Sequence, residues 1–491
     1  MWTQTFARYA PLSPLPAGGR RALLVLFWLG ALLRWRGLFV NRFHADEALY
    51  AAWARLIAVW RDPLLQTQPV DKPPLLFYLQ ALAYRLFPGV TSDGVLELAS
   101  RLPGFVASLL LIPLVGMLAW RLYGDEATAV LAAALIAMSP LAIQFSATAF
   151  LDPPWVAWMF AALLLATGSS RRSLALAGVC LGLAVATKHQ AWLVAPLLLG
   201  LGWLRGWDWA AWRGFLRGFA PVVALLLLWE LARSGSPALF AAQMQNYGGL
   251  RPIWSWELPP RLAAWTALGS TLLAAPILLV GLVGLLRRSG RLAHLDALFL
   301  LWAAGYALLH WLLAISVWDR YLLPLLPLLA LLLARGLAEG GRWITAVLPQ
   351  LRRCAWTLAA LALLLGLQLP GALAARAGGY PVGGRAGADG GAWQIAAYLH
   401  DAPYGTVLYD HWASWQWRYH FFDRGVYVSW FPHPAALVDD LRVFAGQGGA
   451  RYLVLPDAPA AQPVIRALHG AGFELLPTVQ TTHLTLYTIV P

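Results

Sequence analysis

Residues 43–78 read FHADEALYAAWARLIAVWRDPLLQTQPVDKPPLLFY, and they gather Asp46, Glu47, Asp62, Asp71 and Lys72 directly after an apolar run. Only 12% of the chain is charged, so this concentration is informative. The 491 residues are 60% hydrophobic with a mean hydropathy of +0.61, too apolar for a water-soluble globule, and several runs approach the roughly 20 residues that cross a bilayer. The chain therefore reads as a polytopic α-helical membrane protein.

Apolar runs near 21–40, 101–120, 126–143, 153–168, 173–187, 190–204, 214–232, 263–286, 294–316, 321–337 and 354–373 predict about eleven transmembrane helices. The first has no small-residue cleavage site after it and reads as a retained helix. The close pair 173–187 and 190–204 suits a kinked or re-entrant segment, because irregular backbone is tolerated where it lines a cavity.

The net charge of +13 does not point to nucleic acid, because the arginines lie in short clusters between apolar runs. With the N-terminus inside, Arg8, Arg20, Arg21, Arg121, Arg171, Arg172, Arg205, Arg213, Arg287, Arg288, Arg291, Arg335, Arg342, Arg352 and Arg353 all face the cytoplasm. Asp46, Glu47, Asp62, Asp71, Lys72, Asp152, Lys188, Glu257, Asp319 and Arg320 then share the outer face. A miscount between them would split that set.

Within the first outer loop, residues 41–100, Ala45–Trp60 carries Leu49, Trp53, Leu56 and Trp60 on one stripe, and Pro73–Phe87 predicts a second interfacial helix. A second outer loop, 233–262, offers Asn246, Tyr247, Gly248, Gly249, Trp254 and Trp256 as a lid or as interfacial anchors. After 375 the pattern changes. A Gly-rich linker at 376–391 leads into a soluble α/β domain over 392–491, with strands predicted at 406–409, 426–430, 452–455 and 483–489 and helices at 393–400, 435–444 and 464–471. An odd helix count places that domain outside, beside the transmembrane domain of 1–375.

Each charged motif has a bland and a chemical reading. Asp46-Glu47 caps and solvates a helix start, or supplies a carboxylate as general base. Asp71-Lys72-Pro73-Pro74 is an interfacial ion pair, or sets a cation where two prolines fix the backbone, and lysine suits a phosphate. Asp152 before Pro153-Pro154, and Lys188-His189 between apolar runs, are costly in such surroundings unless paired or functional. Asp319-Arg320-Tyr321 snorkels at the interface, or clamps a phosphate through Arg320 while Tyr321 bonds a sugar or headgroup. Walker and GxGxxG patterns are absent, Cys180 and Cys354 form no metal cluster, and no ligand spacing demands a metal, although so many carboxylates leave room for a divalent ion.

In these motifs the chain resembles the GT-C membrane glycosyltransferases, specifically the family of protein O-mannosyltransferases and the bacterial aminoarabinose transferase that modifies lipid A. The resemblance rests on Asp46-Glu47 with Tyr50-Ala51, on Asp71-Lys72-Pro73, on Ser146 to Asp152, on Thr187-Lys188 and on Arg320-Tyr321, spanning about 21–337. His189 departs from the small or apolar residue expected there. The resemblance implies an inverting transfer of a monosaccharide, on the outer face of the cell inner membrane, from a polyprenyl-phosphate donor to a glycolipid, protein or cell-wall acceptor. It implies Asp46 as the catalytic carboxylate with Glu47 beside it, and Asp152 and Asp71 shaping the acceptor and sugar end near His189. Lys72, Lys188 and Arg320, with Tyr321, would hold the lipid phosphate. Two other classes compete: a transporter or flippase of lipid-linked sugars, which would favour paired halves and midplane charges, and a membrane protein whose outer domain does the work through Asp410, His411, Asp423 and His433.

Overall fold

The computed structural model describes residues 14–87, 93–236, 238–246, 251–273, 291–348, 350, 353–444, 447 and 449–491. Arg8, Arg287, Arg288 and Arg352, residues Tyr247, Gly248 and Gly249, and the end of the 263–286 run lie outside the described residues.

The apolar runs are largely helical where they are described, and the helices differ in length and in charge. Among the described residues, five helices are long and apolar enough to span: Ala17–Val40, Val95–Tyr123, Trp209–Ser234, Leu292–Leu312 and Cys354–Arg376. A sixth arises if the bent pair Glu126–Met138 and Pro140–Ser146, broken by 55° at Ser139-Pro140, is one span. At 1.5 Å per residue, the apolar helices Leu75–Tyr84 and Asp152–Ala166 do not reach across 30 Å. Leu325–Val347 is long enough but carries Arg335, Glu339 and Arg342.

Small residues bring the helices together, as expected where lipid removes the hydrophobic drive for association. Arg171–Thr187 lies against Trp209–Ser234 so closely that a Cβ on Gly218 would stand 1.8 Å from the Ala175 carbonyl oxygen, and one on Gly178 2.0 Å from that of Phe215. Within the bundle, Arg34 is buried but satisfied: it donates to Ser108 Oγ and to the carbonyls of Gly30, Ile136 and Ala137, the last two of which the Ser139-Pro140 break leaves available.

The outer-loop helices form as Ala45–Ala58 and Leu75–Tyr84. Trp60 is not on the helical stripe: it follows the helix end, has φ +58° and is exposed.

The C-terminal domain holds a five-stranded sheet of order β2-β1-β3-β5-β4, from β1 (Thr406–Asp410), β2 (Val426–Trp430), β3 (Arg451–Pro456), β4 (Glu474–Gln480) and β5 (Leu484–Val490). β1 pairs in parallel with β2 and β3, and β5 runs antiparallel to β3 and β4. Alternate residues feed two cores: Leu408, Val454 and Leu486 pack with Ile395 and Trp417, while Tyr409, Leu453 and Leu455 pack with Leu437 and Leu468. β4 is absent from the sequence pattern because Pro477 interrupts it; an edge strand with an irregular register between Pro477 and Val479 tolerates that proline. The helix Ser414–His420 is also new, being too short for a periodic signal.

That helix seats the domain on the membrane part. Tyr419 is fully buried with Phe43, Ala48, Ala51 and Tyr84, Arg55 donates to its carbonyl at 2.9 Å, and Asp423 pairs with Arg55 at 3.4 Å and Arg61 at 3.1 Å.

Candidate active site

Four chain segments meet at one cluster of charge. The Ala45–Ala58 helix brings Asp46 and Glu47 in its first turn, capped by His44: the His44 Nδ1 accepts from the Asp46 amide at 3.2 Å, and Glu47 Oε2 accepts from the His44 amide at 3.0 Å. Asp152 opens the Asp152–Ala166 helix, where the positive end of the helix dipole favours a carboxylate and Pro153 and Pro154 need no amide partner. Lys188 sits at the break between Arg171–Thr187 and the 3-10 turn His189–Val194, in extended backbone. Arg320 and Tyr321 lie in the 3-10 turn Asp319–Leu322 ahead of the Leu325–Val347 helix.

The Arg320 guanidinium bridges the two acids, with Asp46 Oδ2 at 2.9 Å and Asp152 Oδ2 at 3.8 Å. Lys188 Nζ takes the other Asp152 oxygen at 2.5 Å and stands 4.2 Å from the centre of the Tyr321 ring. Burial pulls the Arg320 guanidinium down, but Tyr321, Asp46, Asp152 and Tyr50 more than offset it and hold Arg320 above its ordinary range. Asp71 pairs with Lys72, and the Lys72 charge is felt at both Lys188 and His189, so this pair faces the same cluster. The His189 Nδ1 bonds Gln243 Oε1, and its ring meets Phe240 edge-on.

The two neighbouring acids are in unlike surroundings. The Asp46 side chain is 35% exposed, whereas Glu47 is buried, with Oε1 accepting the Ala149 amide at 2.7 Å and Oε2 that of His44. Burial pushes the Glu47 carboxyl up to about 7, against the pull of Arg101 and the two amides. Its raised value means that the folded state holds the proton more tightly than the unfolded chain. Glu47 therefore stabilises the fold most below the ordinary carboxyl range and loses that contribution as pH rises through about 7. Thermal unfolding of Glu47→Gln is expected to start lower, one amide having lost its acceptor, but to fall less than wild type between about pH 5 and about pH 8. Parallel pH slopes would refute the assignment.

His44, Tyr50 and Phe150 complete the surroundings. The Arg320 guanidinium carbon is 4.6 Å from the Phe150 ring centre, and burial lowers His44 against the opposing pull of Asp46. His44 was legible only as the first residue of a His-x-x-Glu capping pattern. Buried His310 is a second residue that sequence reading passes over: its ring lies 5.7 Å from that of Tyr321 and its Nδ1 meets the Tyr306 carbonyl. Asp410 in the C-terminal domain accepts from the amides of Trp412 and Ala413 and from Ser414 Oγ, capping a turn. Asp423 serves the docking contact described above. Among the described residues, no three His, Cys, Asp or Glu side chains gather as a metal-ligand set.

An apolar groove of about 690 Å³ is lined by Leu79, Leu82, Val106, Leu110, Met117 and Pro154, the last of them two residues from Asp152 in sequence.

Residues 71–231 match the family model of dolichyl-phosphate-mannose-protein mannosyltransferases, a stretch that includes Asp71, Lys72, Asp152 and Lys188. Among solved structures the chain is similar to ArnT from Cupriavidus metallidurans in the apo state, with a TM-score of 0.65 at 18% identity. It is similar to the same protein bound to undecaprenyl phosphate, with 0.64 at 16%. In both cases 96% of this chain and 98% of that one are covered. It is also similar to the Archaeoglobus fulgidus oligosaccharyltransferase tethered with an acceptor peptide containing the NVT sequon: TM-score 0.58, 15% identity, 89% of this chain and 69% of that one. No curated protein matches it in sequence.

Proposed function

We propose, from the premise that this chain is a GT-C fold glycosyltransferase of the membrane, that it moves a monosaccharide from a polyprenyl-phosphate donor to an acceptor at the extracytoplasmic face, inverting the anomeric carbon. The observation that carries the reading is the Arg320 guanidinium held between Asp46 and Asp152, with Lys188 on the far side of Asp152. The acceptor is a hydroxyl or amine on a glycolipid, protein or cell-wall polymer, and the membrane is the cell inner membrane.

Asp46, the more accessible acid, takes the proton as the acceptor attacks the anomeric carbon. The bond from that carbon to the phosphate oxygen breaks, and its electron pair leaves with the polyprenyl phosphate. Negative charge therefore grows on the phosphate, where Lys72, Lys188 and Arg320 are already oriented by their acids and need no reorganisation. Tyr321 supports Lys188 through its ring face, Glu47 positions the turn that carries Asp46, and Asp71 and His189 shape the sugar end. The apolar groove, whose lining includes Pro154, suits the polyprenyl chain, and the undecaprenyl phosphate bound by ArnT supports a lipid-phosphate donor by analogy.

The test incubates purified protein with a panel of polyprenyl-phosphate sugars and membrane extract, then identifies by mass which molecule gained a sugar. Transfer from none of the donors would overturn the reading. Lys72→Ala is expected to raise the KM for donor by about tenfold while changing that for acceptor much less, as loss of one phosphate contact would. The reverse pattern would move the phosphate site elsewhere.

A further inference from the structure

The glycine-rich segment that reads as a linker is docked onto the active-site cluster. The Gly383 amide donates to Asp319 Oδ2 at 2.6 Å, while Asp319 Oδ1 accepts the backbone amide of Arg320 at 2.7 Å. The next carbonyl, that of Gly384, accepts from Asn41 Nδ2 at 2.7 Å. Gly384 has φ +72°, and a Cβ there would stand 2.4 Å from Thr148 Cγ2. The turn is closed by the Ala386 amide donating to the Gly378 carbonyl at 2.9 Å, and Tyr380 and Val382 are buried in the membrane core.

These three anchor points are not scattered. Asn41 lies just upstream of the helix that carries Asp46, Thr148 just upstream of Asp152, and Asp319 is adjacent to Arg320. One turn of chain thus touches each of the arms whose side chains meet in the Asp46, Arg320 and Asp152 cluster. A spacer would need none of these bonds, since a flexible chain joins two domains without seating itself between them.

We infer that the 378–386 turn is a strap that sets the three arms of the site against one another, and that Asp319 is the positioning residue through which it holds Arg320. This rests on the reading of Arg320 as a group that meets the donor phosphate. Asp319 has one oxygen for each amide, so losing either acceptor frees either the strap or the Arg320 turn. The carbonyl of Gly384 and the side chain of Asn41 do the same for the Asp46 arm.

Asp319→Asn keeps one acceptor and turns an N–H toward the other amide. Gly384→Ala pushes the strap from Thr148, and Thr148→Ser removes the obstructing Cγ2 while keeping the hydroxyl that bonds the Phe145 carbonyl. In full-length protein, Asp319→Asn and Gly384→Ala are each expected to lower kcat per folded molecule about tenfold or more, with donor KM changed less, because misplacement of a charge-stabilising group is felt chiefly in the transition state. Adding Thr148→Ser to Gly384→Ala is expected to restore kcat to within about threefold of wild type, the left-handed φ leaving the remainder. A readout that needs no donor runs alongside: trypsin cleavage after exposed Arg385 in the strap is expected to be faster in both single variants than in wild type.

Unchanged kcat per folded molecule in both variants, or loss of folded protein with no change in kcat, would overturn the inference. So would cleavage at Arg385 at the wild-type rate in both. If wild-type protein transfers sugar from no donor, the functional reading fails, and the trypsin comparison still decides whether Asp319 holds the strap.

Discussion

Asp46→Asn is expected to reduce sugar transfer by about 10²–10⁴-fold, the range that a positioned general base contributes, while the protein stays folded. The amide keeps the size of the carboxylate, and its oxygen can still accept from Arg320 Nη2, which lies 2.9 Å from Asp46 Oδ2. What it loses is the capacity to take the acceptor's proton. The side chain is partly exposed and its Arg320 partner retains Asp152 nearby, so no buried charge is stranded. The effect should therefore sit in kcat, with thermal unfolding close to wild type. Transfer within a few-fold of wild type in purified membranes would remove Asp46 from the chemistry and leave it as a helix-capping acid.

The second large effect is at the buried pair. Asp152 and Lys188 have side chains 1% and 3% exposed, so removing either one strands the other in a medium where an unpaired charge is very costly. Asp152→Ala and Lys188→Ala are each expected to cost about 3–5 kcal/mol, seen as a large fall in the unfolding temperature in detergent. Arg320 softens the loss of Lys188, because it remains near Asp152, so Asp152→Ala, which leaves both cations short of an acid, is the worse of the two. Replacing the pair together, Asp152→Leu with Lys188→Met, removes both charges and is expected to recover most of the stability and none of the transfer. An active double variant would reduce the pair to scaffolding. Equal stability in the single variants and wild type would mean that the pair is not buried in the working protein.

Much of this molecule could be read from residue order because a membrane makes charge expensive. An acid or a lysine between apolar runs is retained only where it is paired or used, so Asp152, Lys188 and Arg320 stood out one by one, and the structure brings them within a few ångströms of each other. The apolar runs are largely helical for a related reason: a backbone in lipid has to satisfy its own hydrogen bonds. Where a run bends or stops short is less visible in residue order, since a short run and a full span are equally apolar. The 55° break at Ser139-Pro140 and the short Asp152–Ala166 helix are of this kind.

Within the site, adjacent letters hid unlike environments. Asp46 and Glu47 are equivalent as a dipeptide, yet successive positions on a helix point about 100° apart, so one faces the cluster and the other is sealed against Ala149. β4 was invisible because Pro477 argues against a strand unless that strand lies at an edge, and edge position is a property of the assembled sheet.

Residue order alone established the helical membrane class and the α/β character of the C-terminal part, and it singled out Asp152, Lys188 and Arg320 as charges in apolar surroundings, because each of these follows from local composition and from the cost of desolvation. Which acid is open to a substrate, which cation lies between two acids, and that a glycine-rich segment is a strap tied to Asp319 and Asn41, came only from the folded chain. Those are facts about residues far apart in the chain meeting within hydrogen-bond range, and no short stretch of sequence contains that distance.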